Sequence, residues 1–222
     1  MKLNRTLRDC VYGMAVGDAL GVPFEFEPRG SFECVDMVGG GSHNQLAGAW
    51  SDDTSMALAL CDSYRELGRV DCDDILRRFR AWINDGAYTA DGVAFDYGNA
   101  TRKALATGRG GAGEWDKGNG SLMRCLPMVF MDCTSAEVRA VSAITHATDA
   151  CMDACEKMIR YAARLMREGS PAGESAGGPG GSSGYVWDTY NAAIWCLEHT
   201  ESYKECCLLY TSDAADERSS VD

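Results

Sequence analysis

The stretch Trp50–Gly68, W-S-D-D-T-S-M-A-L-A-L-C-D-S-Y-R-E-L-G, decides the fold class. Met56, Leu60, Tyr64 and Leu67 recur at helical spacing, and Gly68 stops the pattern. The same spacing marks Leu3, Leu7, Cys10, Val11 and Met14, running into G-D-A-L-G. It marks Ile75, Leu76, Phe79, Trp82 and Ile83, stopped near Asp85-Gly86, then Met152 to Leu165 and Val186 to Leu197. Strand-like alternation is scarce. The pattern predicts an all-α fold: a compact single-domain multi-helix orthogonal bundle with long glycine-rich loops, rather than a coiled coil.

A chain of 222 residues suits one domain with a real core. Its formal net charge of -12 argues against nucleic acid or an anionic membrane surface as the main partner. No apolar run is long enough to span a membrane, and the N-terminus, M-K-L-N-R-T-L-R-D-C, lacks the apolar core of a signal peptide. The 11 cysteines form no C-x-x-C pairs that would close a zinc site, so buried reduced thiols in a cytoplasmic protein are expected.

Three loops stand out. Gly169 to Gly184 is low-complexity without an apolar anchor, and reads as a flexible surface loop. Gly39 to Ala49 and Gly108 to Ser121 carry polar and aromatic side chains instead, as functional loops do.

Four local patterns bear on chemistry. In Gly13 to Phe26, three glycines at four-residue spacing call for close helix packing or backbone approach to a ligand. Asp18, among small apolar residues, reads as a satisfied buried carboxylate; Glu25, between two phenylalanines, needs a cation partner or a raised pKa. At W-S-D-D-T, Ser51 or Asp52 would cap a helix whose dipole Asp53 complements. Alternatively, Ser51, Asp52 and Asp53 supply the hard oxygen donors that magnesium takes. Spacing alone favours the cap. The turn Gly118-Asn119-Gly120-Ser121 at a helix start is shaped like a phosphate cradle, with Arg124 supporting the anion or pairing with a surface acid. His146, in T-H-A-T-D-A, reads as a helix start, where a lone histidine is more often a cap or surface residue than a ligand.

Taken in order, G-D-A-L-G with Glu25, W-S-D-D-T, D-Y-G-N at Asp96, G-N-G-S with Met123, Arg124 and Pro127, and T-H at His146 resemble the ADP-ribosylglycohydrolase family, from about residue 8 to residue 209, with a further match at Gly184 to Trp195. The resemblance implies a helical domain with two magnesium ions at the base of an ADP-ribose cleft. It implies hydrolysis of the bond joining ADP-ribose to an arginine or serine side chain, with ADP-ribose or an ADP-ribosylated protein as partner. Ser51, Asp52 and Asp53 match the first metal cluster, with serine where threonine is common. Glu25 and Asp96 match the catalytic carboxylates. Gly118, Asn119, Gly120 and Ser121 match the diphosphate loop, Met123 a further substrate-binding position, His146 a residue near the ribose, and Tyr185 one near the adenine. A non-catalytic ADP-ribose-binding or crystallin-like relative is the alternative, and a helical protein whose acidic pair merely caps a helix is a third.

One departure qualifies the resemblance. The family's second carboxylate cluster, G-D-T-D-T-like, has no counterpart after Cys206-Cys207-Leu208-Leu209, where Thr211-Ser212-Asp213 substitutes poorly. The expectation is an incomplete domain over 1–209, with weak magnesium binding and impaired turnover. Residues 210–222 resemble translated adapter sequence and are expected to be a non-native or disordered tail.

Overall fold

The computed structural model describes residues 6–28, 30–169, 173, 178, 181 and 183–214. The helices are α1 (Leu7–Gly21), α2 (Asp52–Leu67), α3 (Cys72–Asp85), α4 (Asn99–Thr107), α5 (Leu122–Cys125), α6 (Ser135–Ala143), α7 (Asp149–Glu168), α8 (Val186–Glu198) and α9 (Tyr203–Leu209). Short 3₁₀ turns follow α1 and α5, at Val22–Phe24 and Leu126–Phe130. Among the described residues there is no strand, only three isolated bridges. The all-α expectation holds.

The helices begin and end where local chemistry directs. Thr6, Thr134 and Ser202 form capping boxes at α1, α6 and α9, while Asp71 and Thr148 cap α3 and α7. Gly68 and Gly86 end α2 and α3 at φ 65° and 70°, as the sequence suggests. Leu3, placed in the first helix by its spacing, lies outside the described residues. So does most of Gly169 to Gly184, the stretch read as a flexible loop.

Met56 and Leu60 of α2 and Ile75, Phe79 and Trp82 of α3 form the centre of the core, joined by Tyr190 of α8. Helix α2 packs between α1 and α3, and α7 packs against α6 and α8. The buried Arg78 of α3 is held by Asp62, Glu66, Asp74 and the Tyr88 hydroxyl, so its charge enters the core fully partnered. All 11 cysteines are free thiols, and no helix of the described residues is long and apolar enough to cross a membrane.

The glycines of α1 allow the close helix packing that is one of their two readings. Tyr203 lies against Gly13 and Gly17 and donates a 2.6 Å hydrogen bond to the Gly13 carbonyl, locking α9 onto α1. Gly17 and Gly21 also line a cavity. The helical path runs past Leu209. Tyr210–Ala214 continue α9 as one π-helical turn, Thr211 is buried, and the Ser212 hydroxyl accepts a 2.9 Å bond from the Cys34 N–H. The remainder of the expected tail, residues 215–222, lies outside the described residues.

Candidate active site

The start of α2 is built across two helices. Ser51 occupies the N-cap position, yet its side chain makes no capping bond. The cap is supplied instead by Asp18 of α1, whose carboxylate accepts from the Ser51 N–H at 3.0 Å and the Thr54 N–H at 3.0 Å. It also accepts from the Ser51 hydroxyl at 2.8 Å and the Thr54 hydroxyl at 2.6 Å. This corrects the reading of Ser51 or Asp52 as the capping side chain: the capping carboxylate is 33 residues earlier in the chain. Burial pushes the Asp18 carboxyl above the usual range, and the four donors oppose that shift. Because the Ser51 hydroxyl spends its proton on Asp18, its lone pairs remain for another partner. Asp52 is buried in the first turn, and Asp53 beside it lines the cavity. One hydroxyl and two carboxylates at this helix start fit the oxygen donor set of a magnesium ion.

A second group gathers from three loops. The His43 Nε2 lies 3.1 Å from Glu25 Oε2 and 3.1 Å from Asp96 Oδ1. The imidazole sits between Phe26 and Phe95, the chain neighbours of those carboxylates, at centroid distances of 5.8 Å and 5.3 Å. Backbone at all three corners is left-handed: Phe26 at φ 66°, Asn44 at 49° and Asp96 at 58°. A bulky residue such as Phe26 rarely takes that conformation unless its surroundings hold it there. Burial raises the Asp96 carboxyl, opposed by its contacts with Glu25 and His43. Glu25 thus has an imidazole beside it in its aromatic setting.

The glycine turn forms the third group. A bridge between Gly118 and Tyr185 brings the start of α8 to the loop, with the Asn119 N–H donating to the Gly184 carbonyl at 3.0 Å. A bridge between Gly111 and His146 ties the other arm of the loop to the end of α6. Two polar residues, Arg124 and His146, are buried here. Arg124, wholly buried, donates to the Gly120 carbonyl, to the Val141 carbonyl at 3.2 Å and to the Thr145 hydroxyl at 2.8 Å. It therefore pairs with no surface acid; it ties the loop to α6, and burial lowers it only to about 10, so it stays charged at neutral pH.

His146 starts no helix; it follows α6, with Thr148 capping α7 two residues later. It is buried, and desolvation with the nearby Arg124 charge lowers it to about 3. The Thr145 hydroxyl receives the Arg124 proton and gives its own to His146 Nδ1 at 2.8 Å, which leaves Nε2–H facing Gly118 and Gly120. The Ser121 hydroxyl turns into the core, bonded to Ser142 at 2.9 Å and Cys155 at 3.5 Å.

A cavity of about 340 Å³ links the groups, lined by Asp18, Glu25, Asp53, Asn119, Met123 and Thr211, among others. Ser51, Asp52, Asp96, Gly118, Gly120, Ser121, His146 and Tyr185 are not among its lining residues. His43 is the residue that sequence reasoning missed. It is the only ionisable side chain of Gly39 to Ala49, a loop whose polar content already singled it out.

The ADP-ribosylglycohydrolase family model matches residues 2–176. The chain belongs to the ADP-ribosylglycohydrolase family. It is 33% identical to ADP-ribosylarginine hydrolase Tri1 of Pseudomonas putida (strain GB-1), over 96% of this chain and 67% of that protein. It is 28% identical to the ADP-ribosyl-[dinitrogen reductase] glycohydrolase of Rhodospirillum rubrum, over 92% of this chain and 78% of that one. A solved ADP-ribosylglycohydrolase-related protein complex shares its fold with a TM-score of 0.70 at 27% identity, covering 93% of this chain and 80% of the other. Family membership places this chain among hydrolases.

Proposed function

We propose that this chain hydrolyses the glycosidic bond between ADP-ribose and a protein side chain, with ADP-ribosyl-arginine as the first substrate to test. The observation that carries the reading is the single cavity lined by Glu25, Asp53 and Asn119, one residue from each of three separated motifs. Identity to a named ADP-ribosylarginine hydrolase supports the choice of arginine over serine.

Cleavage at the anomeric carbon passes through an oxocarbenium-like state, so the site has to stabilise positive charge and move protons. Glu25 and Asp96 both lie against His43, and burial raises the Asp96 carboxyl, the direction that favours its holding a proton. Asn119 and the backbone of Gly118 to Ser121 would orient the diphosphate, with His146 Nε2–H behind them. Met123 and Tyr185 would bound the ribose and adenine. Ser51, Asp52 and Asp53 would hold magnesium, which when bound supplies charge stabilisation at the substrate oxygens. With a single cluster of this kind, weak magnesium binding and reduced turnover are expected.

Release of ADP-ribose from modified arginine and serine peptides, with and without magnesium, tests the reading. Glu25→Gln and Asp96→Asn should each lower kcat by roughly 10² or more. Wild-type rates in both variants would refute it, as would turnover indifferent to Asp52→Ala and Asp53→Ala.

A further inference from the structure

The segments that carry Glu25, His43 and Asp96 also carry large apolar side chains left in water. Phe26, Val38, Leu46 and Val93 are all exposed, Leu46 at 83% and Val93 at 59%. Single exposed apolar residues are ordinary on a protein surface, so what matters is whether these four stand together. The backbone brings them together. Gly40 and Gln45 form a bridge with Val38 on one arm and Leu46 on the other, and a Cβ on Gly39 would meet the Leu46 backbone at 3.3 Å. This turn presses on the 3₁₀ segment that follows α1, where a Cβ on Gly41 would stand 2.5 Å from the Pro23 carbonyl oxygen. The His43 ring lies between Phe26 and Phe95, and Val93 is two residues before Phe95. The four are thus held on adjoining loops beside Glu25, which lines the cavity.

Phe26 adds a second observation. Its backbone is left-handed, at φ 66°, while its ring stays exposed, so little burial offsets the strain. Strain of this kind concentrates where ligands are clamped. The charge of the same segments is one-sided. Residues 22–49 and 86–98 hold six carboxylates against one arginine and one histidine. A surface both apolar and acidic repels an acidic segment and accepts one with apolar and basic side chains.

We propose that Phe26, Val38, Leu46 and Val93 form a docking rim for the peptide segment that bears the modified arginine, and that the rim selects apolar neighbours of that arginine over acidic ones. The proposal deepens the hydrolase reading and rests on it: the cavity takes the ADP-ribosyl group, and the rim reads the chain to which that group is joined. Covering one leucine-sized side chain gives about tenfold in affinity. Repulsion of an acidic neighbour by the carboxylates widens the difference.

The test uses ADP-ribosyl-arginine peptides with leucine, glycine or aspartate on both sides of the modified residue, alongside free ADP-ribosyl-arginine. Release of ADP-ribose by the full chain in magnesium should show a kcat/KM at least tenfold higher for the leucine peptide than for the aspartate peptide, expressed in KM and not in kcat. Leu46→Ser combined with Val93→Ser, both at exposed positions, should lower the ratio of kcat/KM for the leucine peptide to that for free ADP-ribosyl-arginine at least tenfold, with circular dichroism checking the fold. Equal kcat/KM across the peptides would overturn the rim, as would a double variant whose ratio equals that of wild type. Failure to release ADP-ribose even from free ADP-ribosyl-arginine would count against the hydrolase reading instead. Fluorescence anisotropy of the same peptides then ranks their binding without turnover, and equal affinity for the leucine and aspartate peptides would overturn the rim.

Discussion

Removal of the Asp18 carboxylate tests whether α2 is held at its start from α1. Asp18→Ala leaves two N–H groups and two hydroxyls without their acceptor in a region where Ser51 and Thr54 are 3% and 2% exposed. Loss of a helix cap alone costs about 1 kcal/mol. Each buried donor left unsatisfied costs about 1–3 kcal/mol, and the hydroxyls recover part of that by rotating to other acceptors. Against this, the variant no longer pays to bury a carboxylate. The balance is a loss of about 3 kcal/mol, a large share of the ~5–15 kcal/mol that stabilises a domain. Asp18→Asn keeps the shape and one acceptor oxygen, and should lose about 2 kcal/mol. Thr54→Val removes one bond and should lose about 1 kcal/mol. Urea unfolding followed by far-ultraviolet circular dichroism gives all three, provided the denaturant slope is unchanged. An Asp18→Ala midpoint within about 0.5 kcal/mol of wild type would refute the cross-helix cap. So would a loss in Asp18→Ala no greater than that in Thr54→Val.

Two further outcomes follow from the glycine turn. His146 is lowered to about 3 by burial, so below about pH 6.5 the unfolded chain takes up a proton that the folded chain refuses. Stability is therefore retained above pH 6.5 and lost as pH falls toward 3. The stability advantage of wild type over His146→Gln should shrink by about 1.2 kcal/mol between pH 6 and pH 5, and a constant gap in urea unfolding across that range would contradict the buried neutral ring. At Gly120 a Cβ would stand 2.6 Å from His146 Cε1 and 3.1 Å from Nε2, and the buried ring has nowhere to move. Gly120→Ala should lose about 2 kcal/mol and at least tenfold in ADP-ribose affinity by calorimetry. Gly118→Ala, whose nearest neighbour would be 3.5 Å away, should lose far less stability, and similar losses in the two would contradict the packing.

These residues also divide what was legible in the sequence from what was not. Helix starts and stops such as Thr134–Glu137 and Gly68 depend on neighbours within a few positions, so a linear reading finds them. The start of α2 was legible as a helix start, but its cap was not, because the capping carboxylate comes from α1. Arg124 was read as an anion or acid partner because a sequence displays carboxylates and not carbonyls. Its acceptors are largely backbone oxygens at Gly120 and Val141, which leave no trace in residue identity. His146 escaped for a related reason: one hydroxyl, Thr145, lets a buried imidazole stay neutral, and T-H occurs in countless surface loops. The ordered motifs identified the family, yet they place Glu25 and Asp96 only as two distant carboxylates. Folding brings them into contact with each other and with His43, whose loop acquires meaning only then. The loop that carries His43 is therefore what brings the two carboxylates to one point.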